Sequence, residues 1–193
     1  MNRKAFLKIV FIIFLCMPGI TGYAQSQKKD ASPSKADLDV TRLEKKINTA
    51  INRERAKNGL PPLLWDESLH KVARKHSQDM VDRNFFSHSD PDGRGFHDRY
   101  EAGGFECEIR VGNTTYMGAE NISQDVLYRS RLYIDDEKSY TWNSEDEIAN
   151  SVVKHWMSSG AHRKNILTPY FKRHGIGVAL SADGKVYVTE NFC

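Results

Sequence analysis

The chain has 193 residues, of which 39% are hydrophobic and 27% charged, a composition typical of one globular domain with a short additional segment. The formal charge of +3 comes from Arg3, Lys4 and Lys8, because the chain after residue 24 has 25 basic and 25 acidic side chains. This balance argues against a broad basic surface, and we expect no nucleic-acid partner.

The N-terminus has the pattern of an export signal. Lys4 and Lys8 precede an apolar run over residues 9–17 that is too short to span a bilayer comfortably, and small residues follow it. We predict a signal peptide over residues 1–24, with an uncleaved anchor as the alternative. Residues 25–38 are mainly polar, which predicts a flexible tether. The mature protein is then secreted or periplasmic, without a membrane span.

Two amphipathic helices are predicted at the start of a domain over residues 39–193. Gly59 and Pro61 end the first helix, and Asp66 caps the second. The apolar face of the first consists of Val40, Leu43, Ile47 and Ile51, and that of the second of Leu69, Val72, Ala73, His76 and Met80. A histidine on such a face is better explained by a hydrogen bond in the core than by a metal.

The middle of the chain has weaker patterns. Residues 87–93 are rich in turn formers, and a short helix is indicated around Phe96 and Tyr100. Residues 105–117 alternate between apolar and charged side chains, which predicts a strand or an irregular extended arm. Residues 124–142 lack a clear period and are interpreted as a surface excursion that can include a short helical turn.

The last third predicts a helix and two strands. Ser144 and Glu147 form a capping box, and the buried stripe of the helix they begin consists of Ile148, Val152 and Trp156. Residues 176–180 and 185–192 alternate on either side of a turn, which predicts an antiparallel pair. The fold class is therefore α+β, with helices covering an antiparallel sheet.

Cysteine usage agrees with export. Cys16 lies within the predicted signal peptide, which leaves Cys107 and Cys193 as an even pair in an oxidising compartment. We predict a disulfide between these two, with two buried free thiols as the alternative. Such a bond leaves no thiol nucleophile.

Three polar residues, each in a turn or at the edge of an element, are the candidates for chemistry: His88, Glu120 and His162, the last placed after a sharp turn at Gly160. The sequence has no phosphate-binding glycine loop, His-Glu-x-x-His helix or Gly-x-Ser-x-Gly elbow. Two imidazoles and a carboxylate suit zinc, whose three-ligand sites leave a position for water. Alternatively, Glu120 braces a loop through backbone amides, and the histidines are hydrogen-bonded without metal.

Four motifs occur in a fixed order: Phe85-Phe86-Ser87-His88, Gly118-Ala119-Glu120-Asn121-Ile122, the run from Trp156 to Leu167 containing Gly160-Ala161-His162-Arg163, and Gly175-Ile176-Gly177-Val178-Ala179. Together they resemble the SCP/CAP superfamily (cysteine-rich secretory proteins, antigen 5 and plant pathogenesis-related 1) in its prokaryotic type, over residues 39–192. The resemblance implies a three-layer α–β–α sandwich with a small antiparallel central sheet. It also implies a central cleft with two histidines and two acids, which holds a divalent metal in some members.

The resemblance assigns roles residue by residue. His88 matches the first family histidine, Glu120 the acid of the Gly-Glu-Asn motif, and His162 the Gly-His-Arg motif, the last two with an alanine inserted. The Gly-His-Tyr-Thr-Gln motif of animal and plant members is absent. The second acid is open among Glu145, Glu147 and Glu190, and Glu190 is placed in the cleft because its predicted strand can face it.

The resemblance implies an exported binding protein rather than an enzyme. Its partner is expected to be an extracellular or cell-surface ligand, a lipid or a protein, and its cofactor zinc or another divalent cation held by His88, Glu120 and His162. The rival hypothesis is a metal-assisted hydrolase in which Glu120 is the base for a bound water. No catalytic activity is shared across the superfamily, so the question of an enzyme stays open.

Overall fold

The computed structural model describes residues 38–134 and 137–193. The predicted signal peptide over residues 1–24 lies outside them, as does the predicted tether except for Leu38. The described chain is an α–β–α sandwich around one four-stranded sheet, so the predicted α+β class and its three layers are confirmed.

The described helices and strands follow the predicted order with additional strands in the middle. The helices are α1 (Val40–Lys57), α2 (Glu67–Asp82), α3 (Phe96–Ala102), α4 (Glu145–Ser158) and α5 (Gly160–Ile166). The strands are β1 (Leu64–Trp65), β2 (Ile109–Val111), β3 (Thr114–Tyr116), β4 (Ala119–Val126), β5 (Tyr128–Ile134), β6 (Glu137–Trp142), β7 (Arg173–Leu180) and β8 (Lys185–Phe192).

The central sheet has the strand order β1–β7–β8–β4. The pairs β7–β8 and β8–β4 are antiparallel, and the two-residue β1 adds a short parallel pair to β7. Strand β4 is therefore an edge of the sheet. Its register places Glu120 beside Asn191 and Asn121 beside Glu190. Because successive side chains of a strand point to opposite faces, Glu120 and Asn121 point toward different helical layers.

One face of the sheet is covered by α1 and α4, with α5 at the β4 end. The apolar stripes of α1 and α4 meet the alternate residues of β7 and β8 that face them. This core includes Leu43, Ile47, Ile51, Ile148, Val152, Trp156, Ile176, Val178 and Val188, all at most 3% exposed. The predicted faces of these helices are confirmed.

Helix α2 lies directly on the other face of the sheet because two positions of β7 have no side chain. A Cβ atom on Gly175 would lie 2.0 Å from the backbone nitrogen of His70, and one on Gly177 would lie 2.0 Å from that of Arg74. The alternation of small and apolar residues in β7 thus allows a helix backbone on one face and a packed core on the other.

Two segments differ from their predicted structure. Residues 105–117 do not form one extended arm, because β2 and β3 turn back on each other around Gly112, whose φ of 57° favours glycine. Residues 124–142 contain no helical turn among the described positions. They finish β4 and form the hairpin β5–β6, in which Tyr128, Tyr140 and Trp142 contact one another across the strands.

The predicted disulfide is present in the structure between Cys107 and Cys193, with their Cα atoms 5.7 Å apart. It packs in a small second core against α2 and α3, with Leu69 and Tyr100 among its neighbours. The bond ties the end of β8, the central strand beside β4, to the segment that follows α3.

Candidate functional site

Glu120 is the centre of the candidate site. Its side chain is only 1% exposed, and both carboxylate oxygens are occupied. Oε1 accepts a hydrogen bond from Nδ1 of His88 at 2.9 Å, and Oε2 accepts one from Nη2 of Arg99 at 2.7 Å. A carboxylate taken out of water needs such partners, because an unpaired buried charge is costly. Glu120 lies within β4 rather than in a turn, so its position is fixed by the sheet.

The edge of the His88 ring that faces away from Glu120 is open to solvent. It lies in the loop after α2, and its side chain is 52% exposed. Because Nδ1–H donates to Glu120, Nε2 of the neutral ring carries a lone pair. This nitrogen has no hydrogen-bond partner between residues 38 and 134 or between 137 and 193. The buried carboxylate therefore orients an exposed imidazole.

Arg99 of α3 fastens the loop and the strand together. Besides its bond to Glu120, Nη2 donates to the backbone oxygen of His88 at 3.0 Å, and Nη1 donates to that of Arg94 at 3.0 Å. Its side chain is only 11% exposed. Arg99 is not among the residues that the sequence predicts for the site. The residue order around Arg99 carries no signal for this contact.

His162 approaches the site from the other side of β4. It lies in the first turns of α5 rather than in the sharp turn predicted at Gly160, because the chain enters α5 after a single extended residue, Ser159. Its ring centroid is 6.5 Å from that of His88, with an interplanar angle of 48°. Burial, and secondarily the neighbouring charge of His88, lower the pKa of His162 below 6.5.

Two asparagines hold α5 against β4. Asn121 Nδ2 donates to the backbone oxygen of His162 at 3.2 Å, and Asn165 Nδ2 donates to Asn121 Oδ1 at 2.9 Å. Asn165 Nδ2 also lies 3.3 Å from the backbone oxygen of Glu120. Neighbouring residues of one strand thus place the two histidines: Glu120 orients His88, and Asn121 positions the helix that carries His162.

The structure does not bring Glu190 to this site. Glu190 is completely buried on the opposite face of the sheet, where Oε1 accepts a hydrogen bond from His174 Nδ1 at 2.8 Å. Burial raises the pKa of Glu190, and the bond to His174 partly offsets this. The other candidate acids lie elsewhere: Glu145 bonds the backbone nitrogen of Asp39 at the start of α1, and Glu147 caps α4. Of the acids predicted for the site, only Glu120 lies there.

Two buried groups support the site from below, His76 under the loop and Tyr100 under β4. His76 is 1% exposed, and its Nε2 donates to the backbone oxygen of Ser87 at 3.1 Å, next to His88. Burial lowers the pKa of His76, so its neutral form is favoured. The predicted role of His76 as a hydrogen-bonded core histidine agrees with this contact. Tyr100 lies with its hydroxyl 3.1 Å from the backbone oxygen of Ala119, and burial raises its pKa well above 10.

The residues of the site do not fit a three-ligand metal centre as they stand. Among residues 38–134 and 137–193, no three His, Cys, Asp or Glu side chains are grouped so that they could hold a metal ion. Glu120 is engaged at both oxygens, and the adjacent guanidinium of Arg99 repels a cation. To ligate zinc, Glu120 would first have to leave Arg99.

Residues 49–192 match the family described as "CAP: Cysteine-rich secretory protein family". The chain belongs to the CAP family. This CAP protein is 34% identical over 154 residues to the uncharacterized protein YkwD of Bacillus subtilis, covering 80% of this chain and 49% of YkwD. It is 30% identical over 152 residues to the uncharacterized membrane protein YlbC of the same organism, covering 79% and 34%. The chain thus spans half or less of these relatives.

Two solved structures share the fold. An extracellular protein containing a SCP domain from Bacillus anthracis superposes with a TM-score of 0.57 at 26% identity, over 83% of this chain and 43% of the other. An outer surface protein from Borrelia burgdorferi gives a TM-score of 0.59 at 17% identity, over 80% and 94%. In this CAP protein, none of the helices between residues 38 and 193 that the structure describes has the length and apolar character needed to cross a membrane.

Proposed function

We propose that this protein acts outside the cytoplasm as a binding protein, and that its ligand contacts the imidazoles of His88 and His162. The observation that carries the proposal is the exposed ring of His88 held by a carboxylate that is itself 1% exposed. An oriented imidazole with a free nitrogen contributes little to packing, but it is suited to binding.

The location rests on three features. Residues 1–24 have the pattern of a signal peptide, and the domain carries a disulfide, which is typical of oxidising compartments. The third feature is that two proteins of the same fold are described as extracellular and as an outer surface protein.

The site favours a polar, uncharged part of an extracellular or cell-surface molecule, either a protein or a lipid headgroup. The lowered pKa of His162 favours its neutral ring near pH 7. A neutral His88 ring that donates to Glu120 through Nδ1 offers Nε2 as an acceptor. Neutral imidazoles bind hydroxyl or amide donors, and protonation of either ring removes an acceptor. Binding of such a ligand is therefore expected to weaken as the pH falls through the lowered pKa of His162.

Zinc or another divalent cation at this site stays a prediction. It requires Glu120 to exchange Arg99 for the metal, because the present contacts occupy both oxygens. The alternative of a hydrolase with Glu120 as base requires the same rearrangement, since His88 and Arg99 already occupy both carboxylate oxygens.

The proposal is tested with labelled protein on intact cells of the organism that encodes it. His88→Ala with His162→Ala is compared with His97→Ala and His155→Ala, which change two exposed histidines outside the site. We expect the first pair to reduce cell binding at least about tenfold, a loss of about 1.4 kcal/mol, and the second to leave it unchanged. Equal binding by both variants would contradict the proposal.

A zinc titration and a peptide-turnover assay accompany this experiment. Stoichiometric zinc binding that is lost in Glu120→Gln supports the metal. Turnover abolished by a chelator and by Glu120→Gln would replace the binding function with hydrolysis.

A further inference from the structure

A second concave region lies between α2 and α3. It has a volume of about 770 Å³, within the range of small-molecule sites. His76 and Arg99 are among the residues that line it, whereas His88, Glu120 and His162 are not. We call this region the α2–α3 groove. It does not include the imidazoles of the proposed binding site, although His76, Arg94 and Arg99 line it and also take part in the hydrogen bonds around the His88 loop.

Two of the residues that line the groove each have one buried polar atom without a partner in the described part of the chain. Nδ1 of His76 and Nε of Arg99 have no hydrogen bond to any residue that the structure describes. Because His76 Nε2 donates to the backbone oxygen of Ser87, its Nδ1 is an acceptor, whereas Arg99 Nε–H is a donor. Buried groups left unsatisfied cost about 1–3 kcal/mol each. A bound group that both donates and accepts, as a peptide amide does, satisfies the pair once the two side chains turn toward the groove.

On the α2 side of the groove, four charged residues form a stripe with a positive and a negative end. Lys71, Lys75, Asp79 and Asp82 line the groove and recur at three- and four-residue spacing, so they form one stripe along α2. The lysines form no ion pair with any residue in the described part of the chain, and Asp82 receives a hydrogen bond only from Gln78 there. Asp79 has a long contact, 3.5 Å from Oδ2 to Nη1 of Arg83. At a rise of 1.5 Å per residue, the midpoint between Lys71 and Lys75 lies about 11 Å along the helix from the midpoint between Asp79 and Asp82.

We propose that the α2–α3 groove binds a short peptide with free ends. The C-terminal carboxylate of the peptide pairs with Lys71 and Lys75, and its amino group pairs with Asp79 and Asp82. A central amide of the peptide bonds to His76 and Arg99. A separation of about 11 Å corresponds to about three extended residues, so the expected ligand is a tripeptide or a slightly longer peptide.

The test measures trialanine binding to the full exported protein by calorimetry and by nitrogen NMR of the histidine rings. We expect saturable binding and a shift of the His76 Nδ1 signal. Lys71→Glu with Lys75→Glu reverses two charges of the stripe and is expected to weaken binding at least about tenfold. Lys154→Glu, at an exposed lysine of α4, is the matched control and should bind as the wild type does.

Peptides with blocked ends distinguish recognition of the charged termini from nonspecific binding. Trialanine with an acetylated amino group and an amidated carboxyl group should bind at least about tenfold more weakly than free trialanine. His88→Ala with His162→Ala should not change trialanine binding, so this proposal and the proposed function can fail separately. No saturable binding at about 10 mM trialanine, or equal binding by the lysine variants or by the blocked peptide, would overturn the inference.

Discussion

Glu120 shows how one buried carboxylate orders two segments at the residue scale. Its oxygens meet His88 of the loop and Arg99 of α3, so three separate parts of the chain share one ion-pair network. Arg99 is itself largely removed from solvent by the same packing, since its side chain is 11% exposed. Removing either charge therefore leaves the other without compensation.

Replacing Glu120 with glutamine should destabilise the fold. The amide of Glu120→Gln cannot neutralise Arg99, and we expect the free energy of unfolding to fall by about 3 kcal/mol, as measured by urea denaturation. The matched control is Glu108→Gln, which breaks an exposed pair with Arg110 and should cost less than about 1 kcal/mol. Similar losses in the two variants would show that the network around Glu120 contributes no more than a surface pair.

Arg99 also shows what the sequence could not reveal at this scale. His88, Glu120 and His162 are recognisable because imidazoles and carboxylates near turns are unusual. An arginine in a short helix is normally solvent-exposed, and nothing in the residue order indicates that Arg99 faces a strand 21 residues later. Glu190 differs from its predicted place for the converse reason: the phase of a strand decides which face an acid occupies, and a shift of one residue reverses it.

At the element scale, the contact of α2 with β7 determines how the site is supported. The glycines of β7 let the α2 backbone lie on the strand, which fixes the start of the loop that carries His88. Hydroxyl groups add hydrogen bonds at the same contact. Ser77 Oγ donates to the backbone oxygen of Gly177 at 2.9 Å and lies 2.8 Å from Thr189 Oγ1.

Adding a methyl group at this contact should separate the layers. In Gly177→Ala, the new Cβ would lie 2.0 Å from the backbone nitrogen of Arg74, so we expect a loss of at least about 2 kcal/mol in the free energy of unfolding. In Gly160→Ala nothing lies within 4 Å of the new Cβ, and we expect no loss and a gain of up to about 1 kcal/mol. Chemical denaturation of both variants checks this, and a neutral Gly177→Ala would contradict the described packing.

The elements with strong periodicity could be predicted from the sequence, and those formed by pairing alone could not. Helices α1, α2 and α4 and strands β7 and β8 have clear apolar stripes or alternation, and they lie where the pattern predicts them. Hairpin β5–β6 has no such stripe. Its aromatic contacts join residues that are far apart in the sequence, such as Tyr128 and Trp142, and they form only when the two strands pair. Strand β4 does not stand out in the sequence, since its polar residues Glu120 and Asn121 conceal its alternation.

For the whole molecule, the disulfide links distant parts of the chain on the α2 side of the sheet. Cys107 and Cys193 are separated by 86 positions, and Cys193 also exchanges backbone hydrogen bonds with Arg173. The chain end is therefore held by β7 even without the bond. The main contribution of the disulfide is to restrict the unfolded chain.

Reduction should lower stability without unfolding the sheet. For a closed loop of this length the chain-entropy model gives a loss of about 4.6 kcal/mol, measurable as a lower urea midpoint in the presence of a reductant. Cys107→Ser with Cys193→Ser should show the same lower midpoint and no further response to the reductant. An oxidised protein whose midpoint is unaffected by the reductant would contradict this.

The site itself is a property of the whole molecule, because His88 and His162 reach it from opposite sides of β4. The most direct test is an NMR titration of the His162 ring in the wild type and in His88→Gln. Burial and the His88 charge favour the neutral ring, so the wild-type midpoint should lie below 6.5, and the proton should be lost at lower pH than in the unfolded chain. Because His88→Gln removes only the second cause, the His162 midpoint should rise while remaining below 6.5. A His162 midpoint that does not change in His88→Gln would contradict the claim that the two imidazoles share one site.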